Sequence, residues 1–286
     1  MKRYIQGFLR RLGLLERLQN SLLYDLYWNF ADRQLVDKRS NEVRFYRNLL
    51  PGFQRRDLIF DVGANCGDKT DVFVRLGARV VAVEPDESNQ AILRRRFLRY
   101  RFLKKPVIVV GKALSDRNTV ETMWVDAAGS ALNSLNQKWV ETLKQDPSRF
   151  KHTLGFKQER QVQTTTLEDL FATHGVPRFV KIDVEGYELN VLRGMKRPVP
   201  VLSFEVNLPE LKSEGLQCVT ALGNLAEDGK FNYAVDCQRG LVLDEWLGPG
   251  EFASVFNGCN ERAIEVFWKS GAAVPRAGGE ETSVIS

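Results

Sequence analysis

No stretch of the 286-residue chain reaches the roughly 18–20 uncharged apolar residues that a membrane span needs. Arg10-Arg11 and then Glu16-Arg17 break the apolar run behind the basic start Met1-Lys2-Arg3, so no export signal is read. The four cysteines (Cys66, Cys218, Cys237 and Cys259) lie far apart and form no CxxC pair, which argues against a zinc ribbon and a disulfide framework and favours a cytoplasmic, reducing compartment. Charge of one sign is also lacking. The 41 basic side chains face 36 acidic ones, and residues 1–50, with 10 basic and 5 acidic, hold the whole excess of +5. A dedicated nucleic-acid binder shows a stronger basic bias across its domain. A disordered chain would fall well below the 43% hydrophobic residues present here. There are no internal repeats, and the length suits one large α/β domain with appendages or two small domains.

Three regions emerge from the patterning: a helical extension over 1–55, a main domain over 56–270 and a loose tail over 271–286. Ile5, Phe8, Leu9, Leu12, Leu15, Leu18, Leu22 and Leu26 recur at helical spacing, with basic residues on the other faces. Such a helix packs on its own domain, joins a dimer or lies on an anionic membrane surface as a peripheral contact. A second helical stretch, Asn41 to Leu50, ends at Pro51-Gly52. Apolar runs then recur at Leu58–Val62, Val80–Val83, Val107–Val110, Phe179–Ile182 and Val201–Val206, with helical stretches between several of them. That alternation predicts a Rossmann-like, doubly wound parallel sheet. Phe231–Val235 and Ala263–Trp268 complete about seven strands, the last ones antiparallel. Residues 119–165 interrupt the alternation and read as a lid or substrate insertion, with a helical piece near Trp139–Leu143. Thr166-Leu-Glu-Asp169 restarts a helix.

Ile59-Phe-Asp-Val-Gly-Ala-Asn-Cys-Gly-Asp-Lys-Thr70 runs a strand into a G-x-N-x-G turn and a helix. Glycines there let the backbone approach a ligand, and the helix start offers unpaired N–H groups. At the end of the next strand Glu84, with Pro85 after it, is placed to accept from both hydroxyls of a ribose. Asp61 decides between nucleosides. Its charge opposes the pyrophosphate of NAD and suits the ammonium of a methionine moiety, favouring S-adenosylmethionine over an oxidoreductase's dinucleotide. Gly63, Asn65 and Gly67 form the turn. Ser115 and Asp116, after the third strand, are the candidates near adenine, Asp116 as acceptor from its amino group and Ala113 or Leu114 as packing.

Together these pieces resemble the FkbM family of class I S-adenosylmethionine-dependent methyltransferases. The resemblance spans about Asn41 to Lys269 and rests on Phe60-Asp-Val-Gly-Ala-Asn-Cys-Gly67, Val83-Glu-Pro-Asp86, Val180-Lys-Ile-Asp-Val-Glu-Gly-Tyr-Glu188 and Leu192-Arg-Gly194. Cys66 stands where the family usually has an aliphatic residue. The resemblance implies methyl transfer to oxygen, typically a hydroxyl of a sugar or secondary metabolite.

Methyl transfer needs an aligned acceptor and removal of its proton. Asp183 ends the fourth strand, with Glu185 in the turn after it, and these are the catalytic candidates, Asp183 first. Glu188 reads as a helix cap. Glu205 and Asn207, at the next strand end, are the substrate-binding candidates in a site read as metal-free. His152, in the insertion, reads as a surface residue, and His174 as a helix-end residue. The run Arg94-Arg-Arg-Phe-Leu-Arg-Tyr-Arg-Phe-Leu-Lys-Lys105 mixes cations and aromatics as a nucleic-acid binder does. It falls on a helix remote from the methyl site, however, with Phe97, Leu98 and Phe102 toward the sheet. The Asn/Asp-Pro-Pro-aromatic turn of base methyltransferases is replaced by Asp-Val-Glu-Gly. A nucleic-acid acceptor is therefore disfavoured against a small molecule or glycan, and a non-catalytic scaffold would have no need of the three acids.

Overall fold

In the computed structural model, the structure describes residues 33–98, 107–145 and 154–273. The apolar helix expected over 5–27, Phe102, His152 and most of the tail lie outside them. The described chain opens with helix α1 (Arg33–Leu49), then alternates β1 (Leu58–Val62), α2 (Asp68–Leu76), β2 (Arg79–Val83), α3 (Glu87–Arg96) and β3 (Val107–Val110). After β4 (Ala113–Leu114), β5 (Val120–Val125), α4 (Gln137–Gln145) and β6 (Gln158–Thr165), the alternation resumes. It runs through α5 (Leu167–His174), β7 (Phe179–Ile182), α6 (Glu188–Arg193), β8 (Val201–Asn207), α7 (Lys212–Leu225), β9 (Lys230–Ala234), α8 (Pro249–Asn257) and β10 (Ala263–Lys269).

Seven strands form the main sheet in the order β3-β2-β1-β7-β8-β10-β9. Strands β3, β2, β1, β7 and β8 pair in parallel, and β10 runs antiparallel to both β8 and β9. The reversal thus belongs to β10 alone; β9 points the same way as β8. β1 is buried at every position because helices cover both faces. One core holds Phe60, Val180, Leu202 and Phe204 with Leu167, Val191 and Leu222. The other holds Ile59, Phe179 and Phe267 with Phe73 and, from α1, Phe45 and Tyr46. The edge of Tyr46 meets Phe73 with ring centres 4.9 Å apart. Burying aromatic rings of this size contributes about 1.5–3 kcal/mol each, which seats α1 on the sheet.

The chain order changes direction between β1 and β7. The first three strands build outward from β1 on one side, and β7 and β8 on the other. Where such a sheet reverses, the two loops leaving β1 and β7 part and open a crevice at the carboxyl ends.

The segment 119–165 contributes β5 and β6 to a second, three-stranded sheet, β4-β6-β5, whose β4 precedes it and in which β5 and β6 pair antiparallel over six residues. The Thr166 hydroxyl accepts from the Asp169 N–H at 3.1 Å, the cap foreseen for α5. At the end of α3 Phe97 is buried as expected, whereas Leu98 is half exposed and faces away from the sheet.

Candidate active site

An open cleft enclosing about 690 Å³ lies at the β1/β7 crevice. Its walls come from the β1 loop (Gly63, Asn65), the end of β2 (Glu84, Pro85), Lys112 to Leu114, the insertion (Met123, Ser130, Asn133, Leu135) and the β7 loop (Asp183, Glu185, Tyr187).

The glycine turn is fixed by contact. Gly63 adopts φ +77°, and its N–H and that of Ala64 both donate to the Val83 carbonyl at 3.0 Å. A Cβ at Gly63 would lie 1.7 Å from the Asp183 carbonyl oxygen. No side chain fits there, so the loops leaving β1 and β7 touch through bare backbone. Asn65, at φ +47°, then turns its N–H onto Glu84 Oε2 at 2.8 Å.

Glu84 Oε1 accepts from the Asp86 N–H at 2.8 Å. Burial lifts its carboxyl to about 7, against the backbone N–H groups of Asp86 and Asn65 that hold it down. Each carboxylate oxygen has a second lone pair, so Glu84 is anchored and still able to accept toward the cleft. Asp86 caps α3 by accepting from the Ser88 and Asn89 N–H groups. Its other oxygen takes Asn133 at 3.2 Å and Arg160 at 3.4 Å, which ties the insertion down beside the glycine turn.

On the acceptor side, Asp183 Oδ2 accepts from the Lys181 ammonium at 2.8 Å. Lys181 is buried, and although burial favours its neutral form, Asp183, Asp61 and Glu265 outweigh this and keep it charged. Glu185 sits at φ +53°, a conformation non-glycine residues seldom adopt. The turn is held there from outside: the Ser134 hydroxyl donates to the Glu185 carbonyl at 2.7 Å, and the Asn136 amide to the Gly186 carbonyl at 2.6 Å. Burial and the charges of Asp183, Glu205 and Glu188 raise the Glu185 carboxyl well above its ordinary range, and the Trp139 indole opposes them. Glu205 is lifted to about 8, chiefly by Asp183 and then by burial. Glu188 closes the turn from inside, accepting from the N–H groups of Val184 (3.1 Å) and Gly186 (3.2 Å), and burial lifts it to about 7.

Of the residues singled out from sequence, Gly63, Asn65, Glu84, Pro85, Asp183 and Glu185 meet at the cleft. Others depart from expectation. Asp61 does not line it: its Oδ2 accepts from the Thr70 hydroxyl at 2.5 Å, and its Oδ1 is buried without a hydrogen-bond partner. Burial raises its carboxyl, against Lys181 and Thr70. Asp116 is not among the lining residues; its Oδ1 lies 3.3 Å from the Ser115 hydroxyl and 3.4 Å from Arg117. Lys112, Ala113 and Leu114 occupy the wall in its place. Ser115 is buried behind that wall, donating to Glu121 Oε1 at 2.8 Å and lying 3.3 Å from the Tyr187 hydroxyl. Glu205 and Asn207 stand at the next strand end, outside the lining. Gly67 lies behind the turn at the start of α2, against Leu93 and Phe97. Tyr187, Asn136 and Lys112 join the site with no signal of their own in the sequence. Tyr187 stands within the Val-Glu-Gly-Tyr block, but nothing there marks its bond to Glu121 across the insertion.

Among the described residues no group of three or more His, Cys, Asp or Glu side chains has the arrangement to hold a metal ion. None of the described helices is long and apolar enough to cross a membrane.

The strand order, the reversed β10 and the cleft at the carboxyl ends define a class I S-adenosylmethionine-dependent methyltransferase. Residues 61–228, more than half of the chain, match the methyltransferase FkbM domain, and the protein belongs to that family. S-adenosylmethionine is its cofactor. The residues present fit it: a glycine turn bare enough for close approach and an anchored buried carboxylate one strand over.

A comparison with curated proteins gave no match. Among solved structures, a TehB-like S-adenosylmethionine-dependent methyltransferase from Corynebacterium glutamicum aligns with TM-score 0.42 and 8% identity, over 85% of this chain and 96% of that one. An S-adenosylmethionine-dependent O-methyltransferase from Thermotoga maritima aligns with TM-score 0.39 and 12% identity, over 83% and 66%. A putative rRNA methylase from Clostridium thermocellum gives 0.40 and 9%, over 80% and 95%.

Proposed function

We propose that this methyltransferase methylates a hydroxyl oxygen of a saccharide or natural product. The observation that carries the reading is the carboxylate group at the ends of β7 and β8: Asp183 and Glu185 on the cleft, with Glu205 one strand over. A hydroxyl is a poor nucleophile until its proton has somewhere to go, and a carboxyl raised toward neutrality is a far better proton acceptor than an ordinary one.

In this reading Glu84 takes the ribose hydroxyls, Gly63 and Asn65 shape the turn beneath them, and Pro85, Ala113, Leu114 and Met123 pack the base. Asp61 offers its free oxygen behind the turn, and Ser115 stiffens the wall through Glu121 and Tyr187. Bound S-adenosylmethionine supplies an electrophilic methyl on a good leaving group, so the protein's own work is alignment and proton removal. Asp183, held by Lys181, orients the acceptor hydroxyl. Glu185, in its enforced turn, takes the proton. Glu205 and Asn207 border the acceptor's approach.

Burial and the charges of Asp183 and Glu205 raise the Glu185 carboxyl, and the reaction needs it ionised. Activity toward the acceptor therefore rises with pH, about tenfold per unit on the acid side, and levels off only well above the range in which an ordinary carboxyl ionises. The test is a screen of hydroxyl-bearing saccharides and natural products with isotopically labelled methyl donor, and then the pH profile of kcat/KM on any acceptor found. A product methylated at nitrogen or carbon, or a profile flat between pH 6 and 9, sinks the reading.

A further inference from the structure

Two consecutive residues after β7, Glu185 and Gly186, hold left-handed backbone, at φ +53° and +87°. Glycine adopts that conformation without strain, whereas a glutamate keeps it only where its surroundings over-determine it. Glu188 holds the turn by its N–H groups, and the insertion holds it by its carbonyls. The Ser134 hydroxyl donates to the Glu185 carbonyl and the Asn136 side-chain amide to the Gly186 carbonyl, at 2.7 and 2.6 Å. A Cβ at Gly186 would lie 3.1 Å from Asn136 Nδ2 and 3.3 Å from Trp139 Cβ, so the turn is pressed against the start of α4.

Both donors are fixed by contacts that owe nothing to the turn. The Trp124 N–H of β5 donates to the Ser134 carbonyl at 2.8 Å, and the Ser134 N–H to the Trp124 carbonyl at 3.1 Å. The buried Ser134 hydroxyl also accepts from the Asn136 N–H at 2.9 Å. Asn136 caps α4, its Oδ1 accepting from the Trp139 N–H at 3.1 Å. α4 in turn sinks Trp139, Val140 and Leu143 into the core that holds Ile182 and Phe204. Asn133 and Leu135 line the cleft while Ser134 and Asn136 do not, the alternation of an extended segment. One side of that segment meets the cleft, where Asn133 also reaches Asp86 at 3.2 Å, and the other grips the turn.

We propose that Ser134 and Asn136 are positioning residues for methyl transfer: by gripping the two carbonyls of the turn, they hold Glu185 where its carboxylate meets the acceptor's proton. The inference rests on the reading of Glu185 as the proton acceptor and deepens it. Since neither residue lines the cleft, their effect passes through the turn.

Asn136→Ser isolates the grip. Serine caps a helix about as well as asparagine, so α4 keeps its start while the donor to Gly186 is lost. Ser134→Ala is the second variant. The first readout needs no acceptor: amide hydrogen exchange of residues 183–188 in the full chain, where the Val184 and Gly186 N–H groups donate to Glu188. Exchange there is expected to quicken about tenfold in either variant while β1 stays protected. The second readout is methylation kinetics, with the hydroxyl acceptor that the labelled-donor screen yields, in wild type, Asn136→Ser, Glu185→Gln and the double variant. A displaced reacting group costs about a hundredfold, so kcat falls by about that factor in Asn136→Ser, with KM within about threefold of wild type. In the Glu185→Gln background the same substitution costs less than about threefold, because the group it positions is already gone. Unaltered exchange in both variants overturns the proposal, and so does an equal loss of kcat with and without Glu185. Full turnover in Asn136→Ser beside an inactive Glu185→Gln overturns this proposal alone. Full turnover in Glu185→Gln sinks the parent reading, and the proposal with it.

Discussion

Gly63→Ala is expected to be the most damaging single substitution in the molecule. The added methyl would sit 1.7 Å from the Asp183 carbonyl oxygen, and both partners are backbone atoms at the ends of paired central strands. Relief requires β1 and β7 to separate where their loops define the cleft. Positive φ adds about 1 kcal/mol, and forced separation of packed strands several more, so a loss on the order of 3–5 kcal/mol is expected. Many domains have only about 5–15 kcal/mol in total. Gly67→Ala is the comparison. Its φ of +87° carries similar strain, but its new methyl meets the tips of Leu93 and Phe97, which can swing aside. Thermal unfolding should show Gly63→Ala melting far below Gly67→Ala, or failing to accumulate folded. Equal melting temperatures would mean that the two loops do not meet as described.

The second large effect divides binding from turnover. Asp183→Asn keeps the shape of the side chain and removes the charge that faces Lys181. Lys181 retains Asp61 and Glu265 as charge partners, so the strand end should hold. The substitution removes the acceptor's alignment and the field that raises Glu205, for which Asp183 is the leading cause. General acid–base and positioning groups of this kind contribute about 10²–10⁴ in rate. Turnover is expected to fall at least a hundredfold, while affinity for S-adenosylhomocysteine, measured calorimetrically, stays within about threefold of wild type. A variant that loses cofactor affinity and turnover together would place Asp183 on the cofactor instead.

The central strands of the main sheet are legible in the sequence because β1, β2 and β7 are short, mostly apolar runs buried at nearly every position. The glycine turn and Glu84 are legible because their chemistry is local: a few consecutive residues and one strand end. The insertion is not. β5 and β6 carry sequences such as Gln158-Glu-Arg-Gln, exposed or half-exposed, so their pairing leaves only a faint alternation. The two-residue β4 that precedes Asp116 is hidden from the pattern for a related reason, since its pairing with β6 joins residues far apart in the chain. Asp61 has the charge expected of a cofactor ligand, yet Thr70, nine residues on in the next helix, occupies one of its oxygens.

Central to all of this is the cleft at the β1/β7 crevice being an S-adenosylmethionine site gripped by Glu84. The most direct test is calorimetric titration of the purified protein with S-adenosylhomocysteine, beside NAD⁺ and with Glu84→Ala as the comparison. Two hydrogen bonds to a charged carboxylate contribute about 1.5–3 kcal/mol each, so the substitution should weaken binding at least a hundredfold. Saturable binding of S-adenosylhomocysteine by wild type, none of NAD⁺, and that loss in Glu84→Ala are the expected results. Binding that is indifferent to Glu84→Ala, or a preference for NAD⁺, would contradict the assignment.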